Sequence, residues 1–307
     1  MSLRRLSLAG ALIASLALTT AACGSSDDDG GDAKSASATC PGGKIRFGVE
    51  PFEDPAKLTP AAKLLADSLG EQLDCEVELT ITEDYSAEVL AMENGKLDIG
   101  MFGPLGYVFA SKRADAEALA SFGDANGKLS TYTAGIWVPK DSEIQSVADL
   151  KGQSLALGSP GSTSGDALPR KAIMDAGLAE GDVKVDYAGG HPEALLALTN
   201  GKVDAAEINS QQLAVATEAG DFDESEFRRV WTSDAIPNDP ITVRGDMDAK
   251  FKEAVRKALL ELPPAKVGEI GKLLDVDPAG PLLKVDQTTY QPLFDLATSL
   301  GLTEKDV

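Results

Sequence analysis

Between Lys44 and Phe102 the chain reads strand, helix, strand, helix, strand with short spacers, and the same order returns between Ser154 and Ile208. Two periods carry the pattern. Residues 44–49 and 76–82 alternate apolar and polar, while Leu58, Ala61, Ala62, Leu65 and Leu69 recur at helical spacing. Residues 87–92 read as a second helix and residues 97–102 as a short buried strand that stops at Gly103-Pro104. Strands alternating with helices at this spacing commit a chain to a parallel sheet flanked by helices. After residues 133–138 the order restarts, with strands at 154–157, 183–187 and 203–208 and helices at 167–177 and 192–200, which predicts a second α/β lobe. Residues 229–232 and 241–244 read as strands that carry the chain back to the first lobe, followed by helices at 249–262, 267–274 and 290–300. An open α/β sheet binds ligands at the carboxyl ends of its strands, so two such lobes would share a cleft.

The segment Gly158-Ser-Pro-Gly-Ser-Thr-Ser-Gly-Asp166 lies between the strand at 154–157 and the next helix. That order aims unpaired backbone N–H groups and the positive end of a helix dipole at one point, where an anion can sit. Ser162, Thr163 and Ser164 add three neutral hydroxyl donors, and Gly161 and Gly165 let the backbone approach a ligand closely. The same residue types also build a plain helix N-cap.

The amino terminus reads as an export signal, with Arg4 and Arg5 ahead of an apolar run over residues 6–18 that is short for a membrane span. It breaks into Thr19-Thr-Ala-Ala-Cys23-Gly, which resembles a bacterial lipobox with Cys23 as the acylated residue; cleavage by an ordinary signal peptidase is the alternative. Residues 24–43 hold almost nothing apolar and read as a flexible tether, the Asp27-Asp-Asp29 run included. The organisation expected is signal peptide 1–23, tether 24–43, first lobe 44–137, second lobe 138–234, and a return to the first lobe with C-terminal helices over 235–307. Such a protein sits outside the cytoplasm, held by lipid on the outer face of the bacterial cell membrane. With Cys23 assigned to the lipid, Cys40 and Cys75 remain as either a disulfide or two buried thiols. A bridge would close a loop of roughly 35 residues and stabilise by about 3–4 kcal/mol.

A net charge of −21 over 307 residues argues against nucleic acid or an anionic membrane surface as partner, though not against a small anion held by local dipoles. No Cys/His cluster suggests a metal, and no cofactor is expected. The only near-repeat is Asn94-Gly-Lys-Leu-Asp98 with Asn200-Gly-Lys-Val-Asp204, read as a helix C-cap and a turn at equivalent places in the two lobes.

Taken in order, Asp84-Tyr85, Leu97-Asp-Ile-Gly-Met-Phe-Gly103, Ser162-Thr-Ser-Gly165, Gly190-His191, Val203-Asp-Ala-Ala206 with Asn209-Ser210, and Ile236-Pro-Asn-Asp-Pro240 form a recognisable set. From Lys44 onward the chain resembles the solute-binding proteins of phosphonate, phosphite and phosphate ABC importers. The resemblance implies a two-lobed type II periplasmic binding protein fold, α/β, each lobe a mostly parallel sheet flanked by helices, closing over a ligand in the cleft between them. It implies that Ser162, Thr163 and Ser164 hold the ligand oxygens with His191, Tyr85 and Tyr132, that Phe102 lines the mouth, and that the protein serves ABC transporter permease subunits as a monomer. Relatives that take an aminoalkyl phosphonate hold the amine between two carboxylates. Asp239 matches one of them, but Gln211 stands where the other is expected, which disfavours an ammonium and leaves Asp239 free to accept a P–OH proton. The reading is therefore a small phosphorus oxyanion, either phosphonate, phosphite or phosphate, with a sulfonate or thiamine-type ligand as the alternative.

His191 is the only histidine of the chain and stands at a helix start, again facing an anion. A phosphatase using a serine with His191 as base is the enzymatic alternative. No Gly-x-Ser-x-Gly elbow surrounds Ser162, Thr163 or Ser164, so no catalytic residue is assigned.

Overall fold

The computed structural model describes residues 39–303. The signal peptide, Cys23 and the tether up to residue 38 lie outside the described residues. The first lobe is begun by β1 (Lys44–Val49), α1 (Pro55–Leu73), β2 (Glu76–Ile81), α2 (Tyr85–Glu93), β3 (Ile99–Met101), α3 (Pro104–Ala114) and β4 (Glu117–Asp124). The chain crosses through β5 (Thr131–Tyr132) into β6 (Gly135–Pro139), β7 (Ser154–Leu157), α4 (Leu168–Asp175), β8 (Lys184–Tyr187), α5 (His191–Thr199), β9 (Ala205–Glu207), α6 (Ser210–Ala219) and β10 (Phe227–Thr232). It returns through β11 (Ile236–Pro237) to β12 (Ile241–Val243), α7 (Ala249–Glu261), α8 (Pro264–Leu273), β13 (Ala279–Lys284) and α9 (Gln291–Ser299).

The two large sheets have the orders β13-β4-β12-β3-β1-β2 and β10-β6-β9-β7-β8. In the first, β2, β1, β3 and β4 run the same way while β12 and β13 run against them. In the second, only β6 is reversed. Two of the reversed strands, β6 and β12, are those the chain enters directly after crossing between sheets, so each sheet is parallel on one side and mixed on the other. The crossings pair with one another, β11 antiparallel to β5 with Ile236 opposite Tyr132. This two-stranded ribbon joins the lobes.

Local sequence explains the framework. Asp54 caps α1 by accepting the Ala56 N–H, Pro55 opens the helix, and Leu58, Leu65 and Leu69 pack on Ile45, Phe47 and Val49 of β1. Asn94 and Asn200 end α2 and α5, and their side chains reach back to the carbonyls of Leu90 and Leu196. Asp98 and Asp204 then each accept a backbone N–H at the start of the neighbouring strand, from Arg46 and Ser154 respectively. The near-repeat is thus one structural device used once per lobe.

Two boundaries differ from the sequence reading. Strand β6 lies wholly in the second sheet, so the crossing falls before Gly135 rather than at residue 137. Residues 39–43, assigned to the tether by composition, are tied down by the Cys40–Cys75 disulfide, whose Cα atoms are 5.4 Å apart. Among the described residues no helix is long and apolar enough to cross a membrane.

Candidate functional site

The carboxyl ends of β1, β3, β7 and β9 and the joining ribbon converge on one enclosed cavity of about 10 Å³, the space of about one water molecule. Its wall holds Tyr85, Tyr132, Ser162, Thr163, Ser164, His191, Gln211 and Asp239, together with Glu50, Phe52, Gly103 and Asn209. Eight residues singled out from sequence therefore meet at one point, although they span more than half the chain. Larger grooves on the surface, one beside Trp231 and Ile236 and one beside Arg170 and Tyr187, contain none of the eight.

The hydroxyl turn does not run straight into an α-helix. Thr163–Ala167 forms a widened π turn ahead of α4, with Ser162 as its cap. Ser162 Oγ accepts the Gly165 N–H at 3.1 Å and lies 3.3 Å from His191 Nε2. So the capping and site-lining readings of this serine hold together. Asp166, not anticipated from sequence, shapes the loop by accepting the Gly161 N–H at 3.1 Å and the Tyr187 hydroxyl at 2.7 Å. Gly165 has no room for a side chain, since a Cβ there would come within 2.8 Å of His191 Cε1.

Contacts across the cleft close it. The Leu105 N–H, at the start of α3 in the first lobe, donates to Thr163 Oγ1 at 2.8 Å. The Tyr85 hydroxyl meets Ser162, and the Tyr132 hydroxyl meets Thr163 and Ser164. Gln211 lines the cavity, but its amide N–H groups donate to Asn238 Oδ1 at 2.7 Å and to the Leu274 carbonyl at 3.4 Å. Asn238 in turn donates to Ser130 Oγ, while its carbonyl accepts from Ser121 and Tyr290. Gln211 thus ties α6 of the second lobe to the ribbon and to the first lobe.

Phe102 is corrected. Its ring is fully buried against Gly100 and in the apolar cluster with Met92 and Leu105, away from the cavity wall. The strand pleat puts Phe102 on the same face as Gly100, toward α2 and α3; Gly103, the next residue, reaches the wall instead.

Over residues 47–283 the sequence matches the family described as ABC transporter, phosphonate, periplasmic substrate-binding protein. The chain belongs to that family. The Mycolicibacterium smegmatis phosphate-import protein PhnD is 28% identical over 238 residues, covering 73% of this chain and 72% of that protein. The Escherichia coli phosphonates-binding periplasmic protein is 27% identical over 216 residues, 69% of this chain and 64% of that one. The structure of PhnD1 from Prochlorococcus marinus in complex with methylphosphonate has a TM-score of 0.73 at 20% identity, covering 87% of this chain and 100% of that one, a likeness of fold. The architecture is accordingly that of a type II periplasmic binding protein. Membership of the phosphonate-binding family makes the chain an extracytoplasmic substrate-binding component of an ABC transporter.

In this phosphonate-binding family member the site is acidic. His191 Nδ1 lies 2.6 Å from Glu207 Oε1, so the ring donates from Nδ1 and presents Nε2 to Ser162 and Asn209. Burial pulls the imidazolium down, but the charge of Glu207 and its hydrogen bond outweigh this and leave the His191 pKa above its ordinary value. Burial pushes Asp239 up to about 7, against a lowering by His191. Burial raises Glu50 well above the usual carboxylate range, Asp239 adds to the effect, and the Gly103 N–H opposes it. Among the described residues lining the cavity none is Lys or Arg.

Sequence reasoning missed Glu50, Phe52, Gly103, Glu207 and Asn209. Glu50 directly follows β1 and Glu207 ends β9, so the rule that ligands sit at strand carboxyl ends could have found both. Asn209 caps α6 through Gln212 N–H and also donates to Ser164 Oγ at 3.0 Å.

Proposed function

We propose that the cleft captures a small phosphorus oxyanion, phosphite, phosphate or a simple phosphonate, and that the protein, lipid-anchored through Cys23, delivers it to the permease subunits of its transporter. The observation that carries this is the meeting of Ser162, Thr163 and Ser164 at a helical start with His191 and Asp239 around one closed cavity. Uncharged donors at a helical N-terminus replace the water around an anion without the cost of burying a fixed cation. Asp239 accepts the proton of a P–OH group, which a sulfonate does not have, so the acid disfavours that alternative. The cavity as it stands is smaller than a tetrahedral anion, and the ribbon of β5 and β11 lets the lobes part and close again. In this reading the site binds its ligand without chemistry, as expected of a substrate-binding protein family, and no Gly-x-Ser-x-Gly elbow surrounds Ser162.

A thermal-shift series with phosphate, phosphite, methylphosphonate, aminoethylphosphonate, sulfate and thiamine tests this reading, because a ligand bound only by the folded state stabilises by RT ln(1 + [L]/Kd). A shift with at least one phosphorus oxyanion and none with sulfate or thiamine is expected. Stabilisation by thiamine or sulfate alone overturns it.

A further inference from the structure

Glu50 is the acid in this cleft that neither the helical turn nor the ribbon explains. Its side chain lines the cavity, the residue is 3% exposed, and its Oε2 has no hydrogen-bond partner. The Gly103 N–H donates to the carboxyl, and a Cβ at position 103 would lie 2.6 Å from Oε1, so a glycine is needed for the carboxyl to fit. The titratable groups around it are Asp239 from the turn after β11, Glu88 and Tyr85 from α2, and Tyr132 from β5. Both oxygens of Glu88 are likewise buried, with only the Met101 N–H directed at the carboxyl. The one cation on the wall, His191, is already engaged with Glu207. The charge of His191 still favours ionised Asp239, whereas Glu50 and Glu88 have no cation beside them and are held more cheaply as neutral acids than as anions. A neutral carboxyl then brings an O–H that needs an acceptor, and the protein supplies none at Oε2.

We propose that Glu50 is a specificity-determining residue of this cleft: as a neutral carboxylic acid it donates its O–H to one oxygen of the bound oxyanion, while Asp239 accepts the ligand's hydroxyl proton. The proposal rests on the oxyanion reading above and deepens it. One acid donates, its neighbour accepts, and together they fit a ligand carrying one P–O⁻ and one P–OH group. Burial and the charge of Asp239, which raise the Glu50 pKa, favour the same protonation state.

The test is calorimetric binding of phosphite, methylphosphonate and aminomethylphosphonate at pH 6 to the wild-type protein, Glu50→Gln and Glu50→Leu. Glutamine keeps a donor in the shape of the neutral acid; leucine keeps bulk without one. Glu50→Gln is expected to hold the methylphosphonate and phosphite affinities within about threefold, and Glu50→Leu to weaken both by about tenfold or more, the loss of one hydrogen bond. A tenfold loss in Glu50→Gln, or retained affinity in Glu50→Leu, overturns the proposal. So does a wild-type preference for aminomethylphosphonate that Glu50→Gln abolishes, since Glu50 would then be an ionised amine acceptor. Failure of the wild-type protein to bind any of the three instead overturns the oxyanion reading itself. An infrared difference spectrum, wild type minus Glu50→Gln, reads the protonation state without ligand. A protonated carboxyl C=O band supports the proposal, and a carboxylate band in its place overturns it.

Discussion

His191 Nδ1 and Glu207 Oε1 lie 2.6 Å apart, with Glu207 fully buried at the end of β9 and His191 opening α5. The pair fixes the ring so that Nε2 faces Ser162 and the cavity. Because this histidine is the only one in the chain, its titration can be followed without assignment. The ring is expected to titrate above 6.5 by NMR, and Glu207→Gln to move its pKa down and weaken oxyanion binding. In linkage, a raised histidine pKa contributes stability that is fully present below about 6.5 and is lost as pH rises through the folded-state value. An unshifted titration in Glu207→Gln would break the link between these residues.

Asp239 acts in the same direction, over a lower pH range. Its proton is held more tightly in the folded than in the unfolded chain, so it lowers stability as pH rises from 3.8 toward about 7. At 1.36 kcal/mol per pH unit the ceiling over that interval is about 4 kcal/mol. Denaturant melts of the ligand-free protein at pH 5 and pH 7.5 are expected to show greater stability at the lower pH. Asp239→Asn should flatten the difference and weaken ligand binding.

Ser162 and Ser164 separate capping from binding. Ser162→Ala removes the cap on Gly165 as well as a hydroxyl on the cavity wall, so it is expected to cost about 1 kcal/mol of stability and about tenfold in affinity. Ser164→Ala should lose affinity with a smaller change in Tm, since its hydroxyl meets Asn209 Nδ2 and the Tyr132 hydroxyl but caps no backbone N–H of the turn. Thermal melts with and without ligand distinguish the two outcomes. Unchanged affinity in both variants, and in His191→Ala, would remove the site.

Gln211 is a strut as well as a wall residue. Gln211→Glu replaces its two donated bonds to Asn238 and Leu274 with acceptor facing acceptor, an expected loss of about 1–3 kcal/mol. The new charge should raise binding of aminoethylphosphonate relative to methylphosphonate by about tenfold. Competition between these two ligands measures it, and an unmoved ratio would make Gln211 purely structural.

The disulfide is remote from the cavity. Replacing both Cys40 and Cys75 by serine is expected to lower stability by about 3 kcal/mol while leaving the ligand affinity unchanged. Urea titration and calorimetry on one preparation check both halves.

What could be read from residue order is local in origin. Helical and strand periods, the Asn-Gly caps and the hydroxyl-rich turn each depend on neighbours a few residues apart, so the α/β class and two lobes were legible at 58–73, 76–82 and 154–166. So were the capping residues and one wall of the cleft, because the Ser-Thr-Ser segment is contiguous. The reversed strands β6 and β12, the turning of Phe102 into the core and the burial of Glu50 beside Asp239 were not, because each depends on contacts between segments far apart in the chain. No period or propensity near Glu50 records that Asp239, 189 positions later, will share its cavity. Protonation state follows from that proximity and from the exclusion of water, both of which arise only when the lobes are assembled.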